Sequence, residues 1–162
     1  MLSSENLLLQ VKNLKMFFPI QKGVLRKVVG HVRAVDDVSL DIRHGETFSL
    51  VGESGCGKTT IGRAILRLIR PTAGEVIFQR KKLAGSGQKY REIDVAAASK
   101  EELKKLRQDM QIVFQDPYST LNPRMKVEEI IGEPLLVHGI GTSAERKKRV
   151  GTLLEIGRAS CR

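Results

Sequence analysis

The chain has 162 residues, 41% of them hydrophobic and 28% charged, and carries a net charge of +10 from 28 basic and 18 acidic side chains. That length holds about one domain, and the balance excludes a disordered, collagen-like or membrane-spanning polypeptide, because no apolar run approaches the roughly 18 residues a bilayer crossing needs. Two cysteines, Cys56 and Cys161, and three scattered histidines, His31, His44 and His138, make neither a disulfide framework nor a zinc-ligand set.

The start, Met1-Leu2-Ser3-Ser4-Glu5-Asn6, has an acid and no basic cluster, and Gln10 and Lys12 interrupt the apolar stretch that follows. No signal peptide is expected, which places the chain in the cytoplasm. The excess of positive charge suits phosphates, nucleic acid or anionic headgroups. Its basic groups, Arg80-Lys81-Lys82, Lys104-Lys105 and Arg146-Lys147-Lys148-Arg149, read as solvated faces because few aromatics lie between them to stack on bases.

In chain order, Leu7 to Val11 and the alternating Val38-Ser39-Leu40-Asp41-Ile42 read as strands, with the segment Gln21 to Arg33 as an exposed hairpin of an antiparallel sheet. Thr47-Phe48-Ser49-Leu50-Val51 is a compact strand candidate that stops at Gly52. From Lys58 the apolar period becomes helical, through Ile61, Ile65, Leu66, Leu68 and Ile69, and Pro71 is expected to end it. Glu75 to Phe78 reads as a strand returning to the first sheet, and Gln79 to Lys89 as an exposed loop. Ser99 with Glu102, and Thr142 with Glu145, are capping-box signatures that open helices. Between them Met110 to Phe114 reads as a buried strand broken by Gln115-Asp116-Pro117, and Val127, Ile130, Ile131, Leu135 and Leu136 give a helix around Pro134.

The chemistry is concentrated in Gly52-Glu53-Ser54-Gly55-Cys56-Gly57-Lys58-Thr59-Thr60, which fits the phosphate-binding pattern G-x-x-x-x-G-K-[ST] at every position. Gly52, Gly55 and Gly57 are expected to take backbone angles closed to other residues, so that successive N–H groups turn inward around an anion. The helix that follows adds its N-terminal partial charge. Lys58 can bridge the outer phosphates, Thr59 can place its hydroxyl on Mg²⁺, and Thr60 favours the inner phosphate. A strand before the loop and a helix after it are the context the motif requires. Two other uses of these glycines fail: a hydrolase elbow meets Cys56 where glycine is needed, and a dinucleotide fingerprint from Gly55 meets Thr60. Cys56 has no identifiable partner base and reads as a small loop residue.

A phosphate loop alone does not separate GTPases, small kinases and ATPases. The guanine-reading N-K-x-D motif is absent, and the discriminating stretch is Phe114-Gln115-Asp116-Pro117-Tyr118-Ser119-Thr120-Leu121-Asn122-Pro123-Arg124-Met125. A glutamine just past a core strand can orient water and Mg²⁺ through its amide oxygen. A helix-start loop fixed by Asp116-Pro117 is the purely structural alternative.

These two segments and their spacing closely resemble the ATP-binding subunits of ABC transporters, in the oligopeptide, dipeptide and nickel importer group, over roughly Leu7 to Glu155. The resemblance implies an α/β P-loop NTPase with an antiparallel β subdomain, a parallel-sheet core and the start of an α-helical subdomain. By it Gln115 is the glutamine that senses Mg²⁺ and γ-phosphate, and Phe18 is the aromatic that stacks on adenine, where the family more often has Tyr; a core-filling role is the alternative for Phe18. The implied function is the ATP-binding, energy-coupling subunit of a peptide-type importer, with ATP and Mg²⁺ as cofactors. The implied partners are a second ATP-binding subunit in a head-to-tail dimer and membrane-spanning permease subunits, placing the protein on the cytoplasmic face of the cell membrane. No nucleic acid is expected as a partner. A nucleic-acid-associated ABC ATPase, suggested by the charge, and an inert remnant are the competing readings.

The chain departs from the family in having no L-S-G-G-Q signature, no apolar run ending in Asp-Glu and no switch histidine beyond them. Without these groups ATP turnover by this chain alone is not expected, and the parallel-sheet core is expected to be incomplete, with exposed apolar surface and poor solubility. Residues 1–155 are accordingly expected to be the N-terminal portion of one nucleotide-binding domain. Ile156-Gly157-Arg158-Ala159-Ser160-Cys161-Arg162 does not resemble the family and is expected to be an artefactual tail of adapter-like sequence.

Overall fold

The computed structural model describes residues 6–24, 26–81 and 90–159. They fall into two compact units, Met1–Gln111 and Ile112–Arg162.

The first unit is built on one four-stranded antiparallel sheet. Strand β1 (Leu7–Lys22) and strand β2 (Lys27–Arg43) form a long hairpin, so the two short strands read from the sequence extend well into the segment between them. With β3 (Ala73–Lys81) and β4 (Tyr90–Asp94) the spatial order is β2-β1-β3-β4. Alternation sends Leu9 and Val11 of β1 into the core, but the next buried residue is Leu14, three positions on. The period slips at a bulge: Asn13 takes φ +48°, and its amide group donates to Asp37, itself at φ +60°, at 3.1 Å. Beyond it Leu14 and Met16 point inward again and meet Val35, Val76, Phe78 and Ile93 in one cluster. Leu14, Val11 and Val76 are at most 1% exposed, and each contributes about 1.5–3 kcal/mol through burial. Gly74 sits over the bulge, at φ +97°, where a Cβ would lie 2.6 Å from the Asn13 carbonyl oxygen.

Helix α1 (Lys58–Ile65) covers this sheet with Ile61 and Ala64. It stops well before Pro71. Arg67 adopts φ +53°, its N–H donates to Ala64 and the Leu68 N–H reaches back to Arg63, the paired bonds of a Schellman ending. Glycine normally takes that left-handed position. Here the Arg67 Nε donates to the Ala96 carbonyl at 3.1 Å, a tertiary bond no local pattern announces. Helix α2 (Lys100–Leu106) opens with the expected capping box, the Ser99 hydroxyl accepting from the Glu102 N–H and the Glu102 carboxylate accepting from the Ser99 N–H, both at 3.2 Å. These bonds hold the Glu102 carboxyl below its ordinary range, the backbone one most strongly.

Three readings are corrected. Thr47–Val51 and Met110–Phe114 are not strands: every ladder among the described residues is antiparallel and neither segment joins one, leaving Val51 93% and Val113 89% exposed. A parallel-sheet strand is held by neighbours on either side, and apolar residues alone do not supply them. The exposed loop expected over Gln79 to Lys89 gives its first residues to β3, which runs to Lys81, and is followed at once by strand β4, Tyr90–Asp94, paired to β3 from Ile77↔Asp94 to Lys81↔Tyr90. Only Ile93 of β4 is buried, too little apolar pattern to read. The loop centre Gly85-Ser86-Gly87 lies outside the described residues.

In the second unit, α3 (Pro117–Thr120) starts behind Asp116, which accepts from the Ser119 N–H at 3.4 Å. Helix α4 (Val127–Val137) runs through Pro134 and ends at Gly139, φ +66°, with the Gly139 N–H on Leu136 and the Ile140 N–H on Leu135. Helix α5 (Ser143–Ala159) opens on the second expected capping box: the Glu145 carboxylate accepts from the Thr142 N–H at 2.6 Å and from its hydroxyl at 2.9 Å, which lowers the Glu145 pKa. Val150, 2% exposed, packs its Cγ2 against Gly132 of α4. The boundary expected after Glu155 falls inside α5. Among the described residues no helix is long and apolar enough to cross a membrane.

Candidate functional site

The loop Gly52–Gly57 leads directly into α1, with Gly57 as N-cap residue at φ +98° and its carbonyl accepting from the Ile61 N–H at 2.9 Å. Gly55 and Gly57 take the positive φ expected of them, and Gly52 does not. Gly52 faces the far side of the loop: a Cβ there would lie 2.8 Å from the Cys56 Sγ, an exposed side-chain atom that would have to rotate aside. The loop is therefore closed on itself. Gly57 is also pressed against the sheet, since its Cβ would meet the Ala34 carbonyl oxygen at 2.4 Å. Ala34 is the extra residue where the register passes from Met16↔Val35 to Phe17↔Arg33. The bulged backbone at Ala34 thus lies directly against the loop at Gly57. Sequence reasoning missed Ala34, because nothing marks a small residue as a bulge until the pairing is seen.

Lys58 folds back across the loop. Its Nζ donates to the Gly52 carbonyl at 2.7 Å and the Glu53 carbonyl at 2.6 Å, and lies 3.4 Å from the Cys56 Sγ. No ion pair forms at Lys58 among the described residues, so its charge faces only neutral acceptors. The first turn of α1 contains no acid, and its leading N–H groups lack intrahelical acceptors. A cation and several N–H donors thus converge on a loop whose one acid, Glu53, forms no ion pair with that cation among the described residues. This is the electrostatic complement of a phosphate chain. Glu53, Ser54, Gly55, Cys56 and Thr59 are exposed, and Thr60 is half-buried.

Phe18 stands in β1 opposite Val32 and is 40% exposed, outside the buried core. Its neighbour Phe17 is half-buried, with the Arg33 guanidinium 5.6 Å above its ring and its N–H donating to the Thr72 hydroxyl at 2.9 Å. Because Phe18 pairs with Val32, two residues from Ala34, the hairpin ties this aromatic to the strand that supports Gly57. Gln115 belongs to the second unit, where it is exposed and follows the unpaired Ile112–Phe114 segment. No cluster of three or more His, Cys, Asp or Glu side chains able to hold a metal occurs among the described residues.

Comparison with known proteins bears on this arrangement. The profile of the family described as ABC transporter matches residues 35–159. The oligopeptide transport ATP-binding protein AppF of Bacillus subtilis is 41% identical over 153 residues, covering 94% of this chain and 43% of AppF. The glutathione import ATP-binding protein GsiA of Pectobacterium atrosepticum is 47% identical over 147 residues, covering 91% of this chain and 22% of GsiA. The chain therefore spans less than half the length of either relative. Among solved structures, the ATP-binding cassette MJ0796, a dimer in a post-hydrolysis state bound to ADP and Pi, is similar with a TM-score of 0.65 and 27% identity, over 93% of this chain and 57% of that one.

Proposed function

The chain belongs to the ABC transporter family, and on that premise we propose that it is the N-terminal portion, residues 1–155, of the nucleotide-binding domain of an energy-coupling subunit in a peptide-type importer. The observation that carries this reading is Lys58, a cation held inside a glycine loop by the Gly52 and Glu53 carbonyls and paired with no carboxylate among the described residues. The residues present fit ATP: the loop is shaped by Gly52, Gly55 and Gly57, whose replacement would fill the loop or strain its backbone, and the N–H groups at the start of α1 open onto it. Lys58 would hold the outer phosphates, the amides of Gly55 to Thr60 would cradle them, and Phe18 would support the adenine. When bound, ATP supplies a phosphoanhydride whose binding and hydrolysis drive closure and reopening of a subunit pair.

The fit to Mg²⁺ is narrower. Thr59 would supply one hydroxyl, and the amide oxygen that the family resemblance adds, that of Gln115, belongs to the second unit, so most of the coordination would come from phosphate and water, the usual manner of this ion. Family membership and the importer names of AppF and GsiA support partnership with a second ATP-binding subunit and with permease subunits, and a place on the cytoplasmic face of the membrane. They favour transport over the nucleic-acid reading. The test is equilibrium ATP binding by the full-length protein with Lys58→Ala, expected to be weakened on the order of 100-fold by loss of charge-assisted bonds to phosphate. Unchanged affinity would refute the role given to Lys58.

A further inference from the structure

We propose that the tip of the β1–β2 hairpin is a contact site for an anionic lipid bilayer, an interaction beyond nucleotide binding and independent of it. Between Met16 and Val35 the chain has no acid and four strong cations, Lys22, Arg26, Lys27 and Arg33. Arg33 is engaged with Asp36 at 3.1 Å, whereas Lys22, Arg26 and Lys27 form no ion pair among the described residues. The hairpin places Lys22 directly opposite Lys27, and closes with the Arg26 N–H on the Gly23 carbonyl at 3.1 Å, Arg26 held at φ +48°. Like charges across a ladder repel, and this turn gathers three of them at one end of a strand pair with no compensating carboxylate. A negatively charged surface relieves that repulsion.

Apolar side chains stand among the same cations. Val24 is 102% exposed, Val28 53% and Val29 57%. Aliphatic groups between lysines and arginines match the boundary of headgroup and acyl chain, where apolar burial and attraction to anionic lipid add. Nucleic acid would be served by aromatic stacking groups, and none lies between Pro19 and Gly30. The bilayer is therefore the partner the tip fits.

The test is flotation of the full-length protein with phosphatidylcholine vesicles, with and without one third phosphatidylglycerol, at low and at high salt. Binding is expected only with phosphatidylglycerol and to weaken with salt. Each cation near such a surface is worth about five-fold, so the triple variant Lys22→Gln, Arg26→Gln, Lys27→Gln should bind about 100-fold more weakly. Val24→Asn, which removes apolar surface and no charge, should lose roughly ten-fold. Lys147→Gln with Lys148→Gln on α5 should lose little. Retained binding by the triple variant, an equal loss in the α5 variant, no effect of Val24→Asn, or preference for duplex DNA at equal phosphate would overturn the proposal.

Discussion

Gly57→Ala is expected to cost the chain both stability and its phosphate loop. The residue holds φ +98°, a conformation an L side chain adopts only with strain of about 1–2 kcal/mol. The new methyl would lie 2.4 Å from the Ala34 carbonyl oxygen, which belongs to the backbone of a bulged strand and cannot swing aside like a side chain. Together these should destabilise the protein by about 3 kcal/mol. The loop must lift from β2 to relieve the contact, carrying the start of α1 with it. ATP affinity of the full-length variant should fall on the order of 100-fold, since several N–H donors leave their places at once. Gly55→Ala is the informative comparison, because Gly55 has φ +83° but open space around its Cβ position. A Gly57→Ala protein with unaltered ATP affinity and melting temperature would show that the loop does not rest on Ala34.

Gly74→Ala should have the larger effect on folding and a smaller direct effect on the loop. Its Cβ would approach the Asn13 carbonyl oxygen at 2.6 Å and both the Leu14 Cα and the Lys12 carbonyl oxygen at 2.7 Å, all backbone atoms of β1, while φ is +97°. Relief requires separating β3 from β1 at the bulge that returns Leu14 to the core. A loss of about 4 kcal/mol is expected, visible as a fall of the thermal midpoint on the order of 10–20 °C. Gly62, inside α1 with nothing within 4 Å of its Cβ position, is the opposite case. Gly62→Ala should raise stability by about 0.5–1 kcal/mol. Equal midpoints for the Gly74 and Gly62 variants would contradict this account of the bulge.

The parts of this fold legible in the sequence are those fixed by neighbours along the chain. Ser99 with Glu102 and Thr142 with Glu145 were readable because a capping box is complete within four residues and stands as expected at α2 and α5. The glycines and lysine of the loop were readable because their chemistry is local too, although Gly52, unlike Gly55 and Gly57, does not take the positive φ expected of it. Thr47–Val51 and Met110–Phe114 misled for the converse reason: apolar, strand-favouring residues specify a preference, and a parallel strand exists only beside other strands. The Arg67 ending of α1 and the bulge at Ala34 were invisible because each is imposed by a segment distant in sequence, Ala96 in one case and β1 in the other. Phe18 was identified through resemblance. Its 40% exposure beside a half-buried Phe17 capped by Arg33 distinguishes the two aromatics in a way the run Phe17-Phe18 does not.

The central claim is that the bend from Gly52 to Thr60 receives the phosphates of ATP, and a crystal structure of the full-length protein with Mg²⁺ and a non-hydrolysable ATP analogue tests it most directly. Phosphate oxygens are expected on the N–H groups of the loop, with the Lys58 Nζ released from the Gly52 and Glu53 carbonyls it now holds at 2.7 and 2.6 Å. Nucleotide bound elsewhere, with Lys58 still on those two carbonyls, would contradict it.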